Sequence, residues 1–167
     1  KKVMFFYKLS GYRMSADEAY LIIRGLRTLD VRLKKHYENT IIVINFLKKQ
    51  KKIKEILYPY NKSSKNYKLW KKYYSGANGL FSIVVKSKKK SSVIKFVNSL
   101  ELFGIGYSWG GFESLVIHQD LRDDTKYTKT RKFFRFADDE HIVRLHIGLE
   151  DPKDLIQDLK KSLKYIK

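Results

Sequence analysis

The sequence predicts an α/β protein of the α+β kind: a long N-terminal helix, then further helices packed on one face of a small, mostly antiparallel sheet. Three observations carry that reading. Ser15-Ala16-Asp17-Glu18 is a capping box, and the helix it opens is carried from Ala16 to Leu47 by apolar residues at threes and fours (Ala19, Ile22, Ile23, Leu26, Leu29, Leu33, then Ile41, Ile44 and Leu47). Gly79 to Val85 is rich in β-branched and aromatic residues and reads as a buried strand, and Ile142 to Ile147 reads as another. Asp151-Pro152 supplies the N-cap and first position of a last helix, whose stripe is Leu155, Ile156, Leu159, Leu163 and Ile166.

The elements between follow in order. Ile53 to Tyr58 alternates apolar with polar and stops at Pro59, which marks a short strand. Residues 61–65 form a polar loop, and Tyr67 to Tyr74 a helical turn around Trp70. After a charged turn, Ser92 is expected to cap a helix that presents Val93, Phe96, Val97 and Leu100. A glycine-punctuated loop from Phe103 to Gly111 leads into a strand from Ser114 to His118, and the polar stretch Gln119 to Glu140 is expected to be mobile. The organisation expected is an N-terminal segment with its linking helix over residues 1–50 and an α/β domain over 51–167.

Composition narrows the function classes. A hydrophobic fraction of 43%, with 12 tyrosines and 10 phenylalanines, supports a folded globule. Zero cysteines exclude disulfides and thiolate metal sites. No run of about 18 apolar residues offers a membrane span, and the first residues lack a signal-peptide core, so a cytoplasmic protein is expected. The net charge of +19 has two readings. One is a partner with phosphates, nucleic acid or an anionic surface, bound through counterion release. The other, which the spread of the lysines and the lack of an aromatic nucleic-acid motif favour, is a lysine-rich surface that serves solubility.

Candidate chemistry sits in two places. Gly104, Gly106, Gly110 and Gly111 bracket Tyr107-Ser108-Trp109, so the loop can present two flat apolar walls and a hydroxyl, or be an ordinary hydrophobic turn. Arg144 interrupts the strand Ile142 to Ile147. Alternation puts it with His146 on one face and Val143, Leu145 and Ile147 on the other. An arginine there can hold a carboxylate through two parallel hydrogen bonds, or pair with Glu113, Glu150 or Asp151. His146 reads as a surface or hydrogen-bonded structural histidine. The histidines at 36, 118, 141 and 146 lack metal spacing, and no motif of a self-sufficient catalyst is present.

Several segments carry a resemblance. Asp17-Glu18-Ala19-Tyr20-Leu21 with Arg24-Gly25-Leu26-Arg27-Thr28-Leu29, Leu69-Trp70-Lys71-Lys72, and Ser75 to Ser82 run in order toward Leu102 to Leu115 and Arg144 to Asp151. Together they resemble the C-terminal portion of the Cys/Met-metabolism pyridoxal-phosphate enzymes of fold type I, and the Tyr-Ser-Trp-Gly-Gly loop is similar to that of the cystathionine beta-lyase branch. The resemblance implies a small C-terminal domain, pyridoxal phosphate as cofactor of the full-length enzyme, and β-elimination of cystathionine to homocysteine, pyruvate and ammonia in methionine biosynthesis. It implies that Arg144 holds the substrate α-carboxylate with help from Ser108, and that Trp109 and Tyr107 wall the pocket. The family's Schiff-base lysine and phosphate-binding residues precede the matched stretch. Thr125-Lys126-Tyr127 echoes the lysine motif but stands in the wrong place. No catalytic or cofactor-binding residue is therefore assigned, tight cofactor binding is not expected of this chain alone, and neither is activity. Self-association or a separate large-domain chain is expected to cover its long helix. A degenerate stand-alone binding protein for nucleic acid or another anion is the alternative.

Overall fold

The helix expected from Ala16 to Leu47 is two helices. In the computed structural model, which describes residues 1–11, 14–120 and 137–167, α2 (Ala16–Leu26) ends where α3 (Leu29–Leu47) is about to begin. Gly25, a poor helix former, stands at the break. Its carbonyl accepts the Thr28 N–H at 3.3 Å and the Arg32 Nη2–H at 2.8 Å, while Arg32 Nε donates to the Thr28 hydroxyl at 3.2 Å. Side chains that compete for a helix carbonyl in this way end a helix locally. The capping box itself is as expected: the Ser15 hydroxyl accepts from Glu18 N, and the Glu18 carboxylate accepts from Ser15 N. An unforeseen helix, α1 (Lys2–Ser10), precedes it and stops at Gly11, whose φ of 64° is left-handed.

The chain divides into two units, Lys1–Arg32 and Leu33–Lys167. In the first, neither α1 nor α2 buries a side chain, and Phe5, Phe6, Tyr20, Leu21, Ile22 and Ile23 are exposed. Among the described residues no helix is long and apolar enough to cross a membrane.

The second unit is built on a sheet. Its further elements are β1 (Ile53–Leu57), α4 (Tyr67–Tyr73), β2 (Leu80–Lys86), α5 (Lys90–Asn98), β3 (Gly104–Ile105), β4 (Leu115–Gln119), β5 (Glu140–His146) and α6 (Pro152–Leu163). The strand order is β1-β2-β5-β4-β3, and every pairing is antiparallel except β3 with β4. This is the mostly antiparallel α/β sheet that the sequence predicts. The register sets Phe81 against Leu145 and Ile83 against Val143, so alternate residues of β2 and β5 fill one face. Val43, Ile44 and Leu47 of α3, Val93, Phe96 and Val97 of α5, and Leu155, Leu159 and Leu163 of α6 pack on that face as one core. Asp151 caps α6 by accepting from Lys153 N, with Pro152 at the first helical position.

Two local expectations need correction. Ser92 does not cap α5; the helix starts at Lys90, which places Ser92 inside it and buried. The hydroxyl of Ser87 instead accepts from Lys89 N at 3.3 Å and donates to Lys167 O at 2.8 Å, tying the turn to the end of the chain. The loop from Phe103 onward contains β3, a strand of 2 residues, too short and too glycine-rich to show alternation. The stretch from Gln119 to Glu140 that was expected to be mobile lies mostly outside the described residues, and so does Lys126.

Candidate functional site

β5 is the central strand, and its face away from the helical core carries Arg144 and then His146. Both reach the loop between β3 and β4. Arg144 Nη2 donates to the Tyr107 carbonyl at 2.6 Å and to the Gly106 carbonyl at 3.3 Å, and the guanidinium carbon stands 6.0 Å from the Tyr107 ring centroid. Nε and Nη1 make no bond to any described residue, and Arg144 forms no ion pair with Glu113, Glu150 or Asp151. The guanidinium is thus anchored by one nitrogen and keeps N–H groups of its fork unspent. A half-buried arginine so disposed can take a planar oxyanion through parallel hydrogen bonds.

The loop presents its side chains outward: Tyr107 is 71% exposed, Trp109 is 59% exposed, and Ser108 is exposed as well. The structure therefore brings Arg144 and Tyr107 together. Ser108 and Trp109 are set beside them in the chain, with no hydrogen bond or ring contact to another described residue. Gly110 has φ 85°, which needs glycine.

Sequence reasoning missed the layer that holds this loop. His146, only 2% exposed, sets its Nε2 3.1 Å from Gly110 N and 3.2 Å from Gly111 O. Of the two readings offered for it, surface or hydrogen-bonded structural histidine, the structure selects the second. Desolvation by burial lowers its pKa, and the neighbouring His36 and Arg144 act in the same direction, against the Gly111 carbonyl and Glu150. Farther along, Glu150 accepts from Ser114 N at 2.6 Å and from the Ser114 hydroxyl at 2.8 Å, while that hydroxyl accepts from Gly148 N at 2.9 Å. Leu149 N donates to Phe112 O at 2.8 Å.

Helix α3 completes the bracing: His36 Nδ1 donates to Ile147 O at 2.7 Å, and Asn39 Nδ2 donates to the carbonyls of Gly148 and Glu150. Gly148 is demanded by space, because a Cβ there would run into the Phe112 carbonyl and the Glu150 carboxylate. The signal was present in α3, where polar His36 and Asn39 stand three residues apart on one buried helix face and both bond main-chain carbonyls.

The sequence profile of the Cys/Met metabolism PLP-dependent enzymes matches residues 1–164. The chain belongs to this family. A cystathionine beta-lyase of Bordetella avium is 39% identical over 153 residues, spanning 92% of this chain and 37% of the relative. A protein of Wolbachia pipientis named an L-alanine/L-glutamate racemase is 37% identical over 158 residues, spanning 94% and 38%. A crystal structure from Campylobacter jejuni, named for O-acetylhomoserine (thiol)-lyase and holding a pyridoxyl-lysine phosphate, superposes with a TM-score of 0.82 at 30% identity, covering 96% of this chain and 38% of that one. The chain thus spans well under half the length of these family members.

The family's cofactor is pyridoxal phosphate, and the described residues do not fit it. A Schiff-base lysine must be shielded enough to attack as the neutral amine, yet every lysine among the described residues is exposed. What the described residues do offer is the Arg144 guanidinium with N–H groups unspent and the Tyr107 ring 6.0 Å away.

Proposed function

We propose that this chain is the substrate-binding part of a cystathionine beta-lyase-like carbon–sulfur lyase, and that its task is to hold the amino-acid substrate's α-carboxylate on Arg144. The observation that carries the reading is the state of that guanidinium. Two loop carbonyls fix Nη2, and the rest of the fork meets no described partner. A carboxylate would complete it. The relatives named for different reactions support the same element, since lyase and racemase substrates share an α-amino-acid carboxylate. In this reading Ser108 adds a hydroxyl donor to the bound carboxylate, and Tyr107 and Trp109 give the substrate two flat apolar surfaces beside it.

In the intact enzyme the cofactor supplies the electron sink for β-elimination. The chain by itself holds substrate and is inactive. The exposed apolar residues of α1 and α2 fit a chain that works with a cofactor-bearing partner or a second copy of itself. A single, concentration-independent monomer in sedimentation would oppose that part of the reading.

The test is binding of L-cystathionine to the chain, followed through Tyr107 and Trp109 by NMR. Arg144→Lys keeps the charge but loses the fork. Loss of charge-assisted hydrogen bonds, each about 1.5–3 kcal/mol, predicts a drop in affinity of roughly ten- to a hundredfold. Equal binding by Arg144→Lys and the parent would overturn the assignment. Mixed with pyridoxal phosphate and cystathionine, the chain alone is expected to show no aldimine band and to release no pyruvate; pyruvate release would refute its inactivity.

A further inference from the structure

The loop that carries Trp109 is clasped at both ends by one face of β5. Arg144 takes its entry through the carbonyls of Gly106 and Tyr107, and His146 takes its exit through the glycine pair. The second clasp has an unusual feature. A single ring nitrogen, Nε2, lies within bonding distance of a donor, Gly110 N at 3.1 Å, and of an acceptor, Gly111 O at 3.2 Å. One imidazole nitrogen accepts or donates; it cannot do both at once.

We infer that His146 is a positioning residue of the carboxylate site, whose Nε2 chooses between the Gly110 N–H and the Gly111 carbonyl and so sets the stance of Trp109 and Ser108. The inference rests on Arg144 being the carboxylate seat. With a lone pair at Nε2, the ring accepts the Gly110 N–H at 3.1 Å; with a proton there, it donates to Gly111 O and leaves that N–H only the longer contact to Nδ1, at 3.5 Å, which a doubly protonated ring also withdraws. The two glycines let the loop follow. A Cβ on Gly110 or Gly111 would meet nothing within 4 Å, so neither residue is glycine for want of room. Gly110 is glycine for its φ of 85°, and an adjacent pair without side chains can turn its peptides freely.

The groups facing His146 define when each state holds. From α3, the His36 ring lies 5.2 Å away; its Nδ1–H is committed to Ile147 O, and its buried Nε2 has no hydrogen-bond partner among the described residues. From β5 itself comes Arg144, and from the turn after it Glu150, whose carboxylate is already held by Ser114. Burial is the largest influence and keeps the ring neutral, so at neutral pH the Gly110 clasp is available. A protonated ring carries hydrogen on both nitrogens and can only donate. The Gly110 clasp is therefore lost as the pH falls through a value below that of an ordinary histidine.

The experiment uses the whole chain, labelled with nitrogen-15. Gly110 amide and Trp109 indole signals are expected to titrate together, with a midpoint below the usual histidine value, and to become pH-independent in His146→Gln and His146→Leu. A glutamine amide offers both an acceptor and a donor and is expected to keep L-cystathionine affinity close to the parent's, whereas leucine weakens it about five- to tenfold, the loss of one hydrogen bond. Gly110 and Trp109 signals that ignore pH in the parent, or parental affinity in His146→Leu, would overturn the inference. Should the leucine variant fail to fold, the parent titration and the glutamine variant decide. Absence of any cystathionine binding by the parent would refute the carboxylate reading alone, because the titration of the loop needs no ligand.

Discussion

Gly148→Ala is the sharpest test of how the loop is held. A Cβ at this position would meet the carbonyl oxygen of Phe112, the carboxylate of Glu150 and, at 2.7 Å, the carbonyl carbon of Glu113. Two of these are backbone, which cannot swing aside as a flexible side chain can. Relief requires the 112–113 segment to move off the end of β5. That movement strains two hydrogen bonds, Leu149 N to Phe112 O and Gly148 N to the Ser114 hydroxyl. Overpacking costs about 1–3 kcal/mol, and each lost bond about 1 kcal/mol, so about 3–5 kcal/mol is expected. That is a large part of the total stability of a domain this size. Gly111→Ala is the control, because its Cβ would meet nothing within 4 Å and its φ lies outside the left-handed region; its effect should stay within about 1 kcal/mol. Urea unfolding of both variants at matched pH measures the pair. Gly148→Ala as stable as the parent, or Gly111→Ala as damaged as Gly148→Ala, would refute the close approach.

Ser15→Ala removes one half of the capping box and should destabilise α2 by about 1 kcal/mol, read as lost helicity in circular dichroism. Ser114→Ala strips Glu150 of one buried donor and leaves Gly148 N without its acceptor, a loss of about 2–3 kcal/mol in urea unfolding; the exposed Trp109→Phe should leave stability nearly unchanged. Lys54 hydrogen-bonds to Glu140 and holds its carboxyl below the ordinary value. The unfolded state therefore takes up that proton first, so the pair's contribution is present above the ordinary carboxylate range and lost as pH falls through Glu140's own lower value. Lys54→Met should flatten the acid limb of a melting-temperature profile from about pH 5 downward.

What the sequence disclosed depended on whether side chains or backbone groups carry the contact. The strands and the terminal helix were legible because their apolar residues repeat at the period of the element. Ile83, Val85, Val143 and Leu145 are inside for the reason the alternation gives. The break at Arg27-Thr28 was not legible, since it turns on three donors meeting one carbonyl, and α1 carries no side-chain cap to announce it. The site divides the same way. Arg144 and Tyr107-Ser108-Trp109 stand out as residue types, an arginine in an apolar strand and aromatics between glycines. Their support does not. His146 engages Gly110 and Gly111, His36 engages Ile147, and Asn39 engages Gly148 and Glu150, in every case through main-chain atoms whose residue types give no sign of it, so that the spacing of His36 and Asn39 on α3 is the one trace in the sequence.

That division says why the loop can be exposed and still be accurately placed. Tyr107, Ser108 and Trp109 contribute little to their own placement; their backbone is fixed from beneath by Arg144 and His146 of β5, while His36 and Asn39 of α3 hold the segment that follows that strand. In the proposed reading, stability and recognition are therefore written in different residues. Changes at Ser114, Gly148 or Glu150 are expected to act on whether the platform exists, and changes at Ser108 or Trp109 on what it binds. For this chain, the arginine joins the two sets: it is rooted in the central strand, and one of its nitrogens holds the loop through the carbonyls of Gly106 and Tyr107.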